Sequence, residues 1–210
     1  VINRLPPSVA GGMVAPDVPI AVPQREPAGD YQAVQTEEQL EALIAALEES
    51  GSFSFDTETT GLDPMRVDLV GLSFSVEPGR TWYVPVGHKD GEQLPLETVL
   101  ARIRPLMEST ELAKCAHNAN YDVTVLANHG INCKNVDFDT MIAAHLLGKK
   151  SVGLKNLVLD IFHQQMVPIS DLIGKGANQK TMDQISIEDV LPYACADADF
   201  TWQLGIIFED

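Results

Sequence analysis

Basic residues are scarce in this 210-residue chain: Lys and Arg number 14 against 30 Asp and Glu, a formal charge of −16. Affinity for nucleic acid usually comes from cationic side chains that neutralise phosphates, so a protein binding a polyanion by charge alone is a poor fit. Weak intrinsic binding to any polyanion is expected instead. Cysteine is also rare. Cys115, Cys133 and Cys195 form no C-x-x-C pair and leave an odd count, which argues against a zinc site and against a disulfide framework. Reduced thiols in a cytosolic protein are expected. No apolar run approaches the ~20 residues needed to span a bilayer. There is likewise no positively charged start followed by an apolar signal core, so the chain reads as soluble and intracellular, with no membrane partner.

What is present suits one well-cored domain, since 45% of residues are hydrophobic. Residues 1–30 are rich in proline, glycine and alanine and lack periodicity, which reads as an interdomain linker; residues 31–210 then form the domain. Thr36 and Gln39 make a capping box ahead of a helix whose apolar face is Leu40, Leu43, Ile44 and Leu47. The run from Phe53, the run Val67 to Val76 and the run Trp82 to Val86 predict a three-stranded meander, with Glu77-Pro78-Gly79-Arg80 as a turn. Leu96 to Met107 reads as a helix, and further helices follow. This order predicts an α/β three-layer domain with a mixed central sheet flanked by helices.

Four carboxylates in three separated segments carry the chemistry. Asp56 and Glu58 lie in Phe55-Asp56-Thr57-Glu58-Thr59, where alternate side chains of a strand share a face and stand roughly 7 Å apart. Asn118 and Asp122 lie in His117-Asn118-Ala119-Asn120-Tyr121-Asp122, a strand turning into a helix; Asn118 is placed to cap it and Asp122 falls on its first turn. Tyr193 and Asp197 are spaced i and i+4 on a helix predicted from about Ile187 to Phe208, so phenol and carboxylate share a face. Hard divalent cations such as Mg²⁺ and Mn²⁺ prefer oxygen ligands of this kind. Two ions roughly 4 Å apart can activate a water on one side of a phosphodiester and stabilise the departing oxygen on the other. Asp63, Asp137, Asp139 and Asp199 read as structural or surface acids, with Asp139 capping a helix that starts at Thr140.

These segments resemble the three exonuclease motifs of the DEDD superfamily in the variant with a tyrosine in the third motif. More closely, the chain resembles the 3′–5′ proofreading exonuclease domain of bacterial DNA polymerase I. From about Tyr31 onward it carries FDTETTGLD, KCAHNANYD, FDTMIAAHLL, GKGANQKTMDQI and YACADAD in that order. The resemblance implies a ribonuclease-H-like exonuclease fold and two divalent ions, Mg²⁺ or Mn²⁺. Asp56, Glu58 and Asp197 would hold the nucleophile-side ion, Asp56 would bridge to the second, and Asp122 would support that second ion through water. Glu58 and Tyr193 would orient the attacking water. The substrate would be a single-stranded 3′ end of DNA, shortened with release of nucleoside 5′-monophosphates.

The same resemblance suggests how a strand end is held. Thr59 and Leu62 would contact the terminal nucleotide, Asn118 would hydrogen-bond the substrate near the scissile phosphate, and His117 would also contact the substrate. Lys175, Asn178 and Gln179 of the Gly174–Thr181 segment would contact the backbone without sequence readout. The chain departs from the family pattern at His117, where glutamine is frequent, and at Ile169, where some relatives carry an aromatic. The resemblance further implies a monomeric fragment of a longer cytoplasmic, nucleoid-associated chain, with a polymerase domain following. Alternatives are an RNA 3′-trimming exonuclease of ribonuclease D type and a non-catalytic module that supports a polymerase domain.

Overall fold

A computed structural model describes residues 29–209. Nearly all of the expected linker, residues 1–28, lies outside the described residues. The elements run in order β1 (Asp30–Ala33), α1 (Glu37–Ser50), β2 (Ser52–Thr59), β3 (Leu69–Glu77), β4 (Arg80–Pro85), α2 (Leu96–Met107), β5 (Ala113–Ala116), α3 (Ala119–Asn128), β6 (Val136–Asp139), α4 (Thr140–Leu146), α5 (Leu154–Phe162), α6 (Ile169–Ile173) and α7 (Ile187–Glu209). Among the described residues no helix is long and apolar enough to cross a membrane.

The capping box forms at α1, where Gln39 N–H donates to Thr36 Oγ1 and Thr36 N–H donates to Gln39 Oε1. Gly51, at φ +71°, ends that helix in the left-handed conformation glycine adopts without a Cβ clash. The sheet order is β1-β4-β3-β2-β5-β6. The predicted meander is present as antiparallel β2, β3 and β4, while β1 joins β4, and β5 joins both β2 and β6, in parallel. The sheet is therefore mixed, as the pattern of strands predicts.

Two faces of the sheet differ in chemistry because period-2 alternation sorts their side chains. Phe53, Phe55, Leu72, Phe74, Trp82 and Val84 pack with α1, α2 and α3 into the main hydrophobic core. On the opposite face, register aligns small and polar residues: Ser54 with Ser75, Asp56 with Ser73, and Glu58 with Gly71. Small residues line the strip beneath α7, so the helix approaches the sheet closely, and Ser54 Oγ donates to the Ala198 carbonyl at 2.7 Å. Gly71 is required here, because a Cβ would lie 2.2 Å from the Tyr83 hydroxyl that crosses it. Helices α4 and α5 pack against α7 through Ala144, Leu157, Val158, Phe200 and Leu204. The central helix is thus held on one side by the sheet and on the other by helices, which fixes the direction of every side chain it carries.

Candidate active site

Strand β2 delivers Asp56 and Glu58 to the face against which α7 packs, and α7 delivers Asp197 to the same point. One ligand oxygen from each of these three acids lies within 4.8 Å of the others. Pairing with β3 shifts register between Glu58 and Thr59, and such an irregularity bends a strand and re-aims the residues at its end. Asp122 arrives from the other side. Strand β5 stops at Ala116, so β2 continues past it without a neighbour on that edge. Asp122 Oδ1 takes the place of the missing strand, accepting from Thr57 N–H at 3.0 Å and from Thr57 Oγ1 at 2.6 Å. Its other oxygen carries no such bond.

Asn118 occupies the N-cap position of α3 at φ +66°, but its side chain makes no capping bond, contrary to the sequence expectation. The cap comes from Asp139, whose Oδ1 accepts from Asn118 N–H and Oδ2 from Ala119 N–H. Asp139 Oδ1 also caps α4, as expected, accepting from Met141 and Ile142 N–H. One carboxylate therefore satisfies the orphan donors of two helix starts, and frees the Asn118 side chain for the cleft.

A cleft of about 800 Å³ opens over the acids. Thr59, Leu62, His117, Asn118 and Gln179 line it together with Tyr193 and all four carboxylates, whereas Lys175 and Asn178 are not among its lining residues. Lys180, the second lysine of the same segment, is. Leu62 is 90% exposed at the rim. Tyr121 ties down the loop that carries it, donating to the Gly61 carbonyl at 2.7 Å with its oxygen 2.5 Å from Thr59 Oγ1. His117 Nδ1 lies 2.8 Å from Thr140 Oγ1, and burial pushes the ring down to about 4, so it is neutral at neutral pH and offers no charge to a phosphate.

Electrostatically the site is uncompensated. Burial pushes Asp56, Glu58, Asp122 and Asp197 above the usual carboxyl range, and mutual repulsion adds to this at Asp56 and Glu58. The Thr57 bonds draw Asp122 back down, and Lys155 of α5 and the Tyr193 hydroxyl do so for Asp197. Glu58 Oε1 and Asp197 Oδ1 are buried with no hydrogen-bond partner among the described residues. Buried polar atoms are ordinarily satisfied, and hard oxygen donors left in this state suit a divalent cation. Tyr193 is shifted upward by burial and by Asp197, so its phenol stays protonated and can donate.

Lys155 was not legible in the sequence. It is a lone lysine on a short amphipathic helix, 38 residues from Tyr193, and no spacing rule connects the two. Tyr121 lies inside the second motif, but its bonds to Thr59 and Gly61 join segments about 60 residues apart, which no local pattern encodes.

A mixed sheet with α7 across one face and an acid-lined cleft at the end of β2 defines a ribonuclease-H-like exonuclease fold. The same fold occurs in the crystal structure of Trypanosoma brucei RNase D, with a TM-score of 0.65 at 14% identity over 83% of this chain and 64% of that one. The family model described as 3′–5′ exonuclease, of the DNA polymerase A type, matches residues 31–209, and the chain belongs to that family. It is 41% identical over 167 residues to DNA polymerase I of Chloroflexus aurantiacus and 37% identical over 182 residues to DNA polymerase I of Pseudomonas aeruginosa. Those matches cover 77% and 83% of this chain but 17% and 20% of the two relatives, so the chain spans about a fifth of their length.

Proposed function

We propose that this domain hydrolyses the 3′-terminal phosphodiester of DNA, releasing nucleoside 5′-monophosphates, and serves as the proofreading module of a DNA polymerase. The observation that carries the reading is the convergence of Asp56, Glu58 and Asp197 within 4.8 Å, with buried oxygens left unpartnered, in a chain of the 3′–5′ exonuclease family. Relatives named DNA polymerase I support DNA as the substrate and a polymerase domain as the neighbour in the same chain.

Asp56, Glu58 and Asp197 would hold one Mg²⁺ or Mn²⁺ ion, and Asp56 with Asp122 a second. Such ions supply positive charge that acidifies a water and stabilises a departing oxygen. The chain's own groups do the positioning. Glu58 and the Tyr193 O–H orient the attacking water, Leu62 supports the terminal base, and Asn118 and Lys180 reach toward the backbone. The water oxygen gives up a proton to solvent and bonds to phosphorus as the P–O3′ bond breaks, and the departing oxygen takes a proton from solvent, so the shortened strand ends in a 3′-hydroxyl. The acidic surface fits this division of labour: phosphate is captured at the acids through cations, and the basic surface that gathers DNA belongs elsewhere in a longer chain.

The test is digestion of a 5′-labelled single-stranded DNA with Mg²⁺, Mn²⁺ or chelator, with Asp56→Ala as control. A cation-dependent ladder shortening from the 3′ end, absent in the variant, is expected. Equal cleavage by Asp56→Ala would overturn the assignment, and a clear preference for a matched RNA would transfer it to a ribonuclease-D-like activity.

A further inference from the structure

The ammonium of Lys155 makes contacts that the proposed function does not require and that no sequence motif predicts. Its Nζ donates to the Val167 carbonyl at 2.7 Å and to the Tyr193 hydroxyl oxygen at 3.1 Å, and it stands 4.2 Å from the centroid of the Tyr193 ring. The backbone that carries it is well held. Lys155 lies on the first turn of α5, two and three residues before Leu157 and Val158, which are buried against Phe200 and Leu204 of α7. Donor and acceptor thus ride on two helices packed together, and the Val167 carbonyl fixes the ammonium from a third segment.

A lysine ammonium has three donors and no acceptor, whereas a phenol offers one donor and two lone pairs. Lys155 can therefore only occupy a lone pair of the Tyr193 oxygen. The phenolic proton is left for another acceptor, and the cleft that Tyr193 lines offers the carboxylates of Asp197, one turn along α7, and of Glu58 and Asp56 on β2. Donation into the phenol oxygen also polarises its O–H and makes it a better donor. A hydroxyl whose proton otherwise has two favoured orientations becomes a donor of fixed direction.

We infer that Lys155 is a positioning residue, which acts through Tyr193 by holding the phenol as a hydrogen-bond donor directed into the acid cleft, where the attacking water is to be oriented. This rests on the reading of the cleft given above. The consequence of Lys155 is directional, and that separates it from a surface cation binding DNA.

The experiment uses the full 210-residue chain and two readouts. In the first, Lys155→Met, Lys155→Arg, Tyr193→Phe and the Lys155→Met/Tyr193→Phe double variant are compared in DNA cleavage. Lys155→Met is expected to lower kcat by about tenfold, the scale of one hydrogen bond to a charged group, with KM little changed. Lys155→Arg should recover part of the loss, and the double variant should be no slower than Tyr193→Phe alone, since one lesion lies upstream of the other. Additive losses in the double variant, or a rise in KM alone, would overturn the inference and point to direct phosphate binding by Lys155.

In the second readout the chain is labelled at the Cζ carbon of its 4 tyrosines, and the Tyr193 NMR signal is assigned by its loss in Tyr193→Phe. Lys155→Met should shift that signal and leave the signals of Tyr31, Tyr83 and Tyr121 in place, which also shows that the variant is folded. An unmoved Tyr193 signal sinks the inference whether or not the chain cleaves DNA. A moved signal in a chain that cleaves neither DNA nor RNA would sink the nuclease reading and leave the Lys155–Tyr193 bond standing.

Discussion

Asp197 and Asp199 lie two residues apart on α7 and have opposite surroundings. Asp199 is 4% exposed and fully engaged: its Oδ2 accepts from the Tyr31 hydroxyl at 2.8 Å, and its Oδ1 from Gly79 N–H at 3.1 Å and Gln203 Nε2 at 2.8 Å. Those donors belong to β1, the β3–β4 turn and α7 itself, so Asp199 clasps the sheet edge to the central helix. Asp197 faces the other way, since two residues on a helix are about 200° apart. It meets Asp56 and Glu58, and its Oδ1 has no hydrogen-bond partner among the described residues. A buried carboxylate with matched donors is part of the scaffold. A buried carboxylate among other carboxylates is destabilising unless a cation joins it, and the chain retains it where the chemistry needs it.

Several variants would break or sharpen this contrast. The largest effect is expected from Asp197→Asn, which should cut cleavage by about 10²- to 10³-fold, the scale of losing one electrostatic group at a reacting centre, while leaving the metal-free Tm unchanged or higher. A large drop in Tm instead would make Asp197 a scaffold residue like its neighbour. Asp139→Ala removes the cap of two helices at once and should cost about 2–3 kcal/mol in a denaturant titration; because α3 carries Asp122 and Asn118, cleavage should fall with it. Asp199→Ala leaves the Tyr31 hydroxyl and Gly79 N–H unpaired at a cost of about 2 kcal/mol, or roughly 4–8 °C in Tm. Its cleavage rate at a temperature where it is folded should stay close to that of the parent, and a loss matching Asp197→Asn would erase the distinction.

A smaller effect should appear with pH. The folded-state pKa of Asp197 is raised, to about 6, by burial, so the unfolded chain loses this proton first. Stability from this group is fully retained below the unfolded carboxyl pKa of about 3.9 and falls as pH rises toward 6. Metal-free calorimetric melts of the parent and Asp197→Asn should therefore diverge, with the parent losing ground between about pH 4 and pH 6. Added Mg²⁺ should close the gap at the upper end. A constant difference across that range would show that Asp197 does not carry the strain ascribed to it.

Much of this architecture was legible before any coordinates. The capping box at Thr36, the meander from Phe53 to Val86, the helix Leu96–Met107 and the long last helix all follow from local patterns, because capping, alternation and 3.6-residue periodicity are written within a few residues of one another. The Asp139 cap of α4 was legible for the same reason. Its second role, in place of an Asn118 cap, was not, since it depends on two strands ending side by side. Nor could spacing separate Lys180, which reaches the cleft, from Lys175, which does not line it.

The sequence by itself determined which oxygen ligands are available and on which elements they lie: a strand pair at Asp56 and Glu58, a first-turn acid at Asp122, and a tyrosine and an acid one turn apart at Tyr193 and Asp197. Only the tertiary structure decided which of them meet and what surrounds them. The small-residue face of the sheet lets α7 come close enough to bring Asp197 to Asp56, the shortness of β5 gives Asp122 to Thr57, and the packing of α5 on α7 sets Lys155 against Tyr193. Periodicity acts over a few residues along the chain, whereas charge and hydrogen bonding act through space between segments that folding alone brings together.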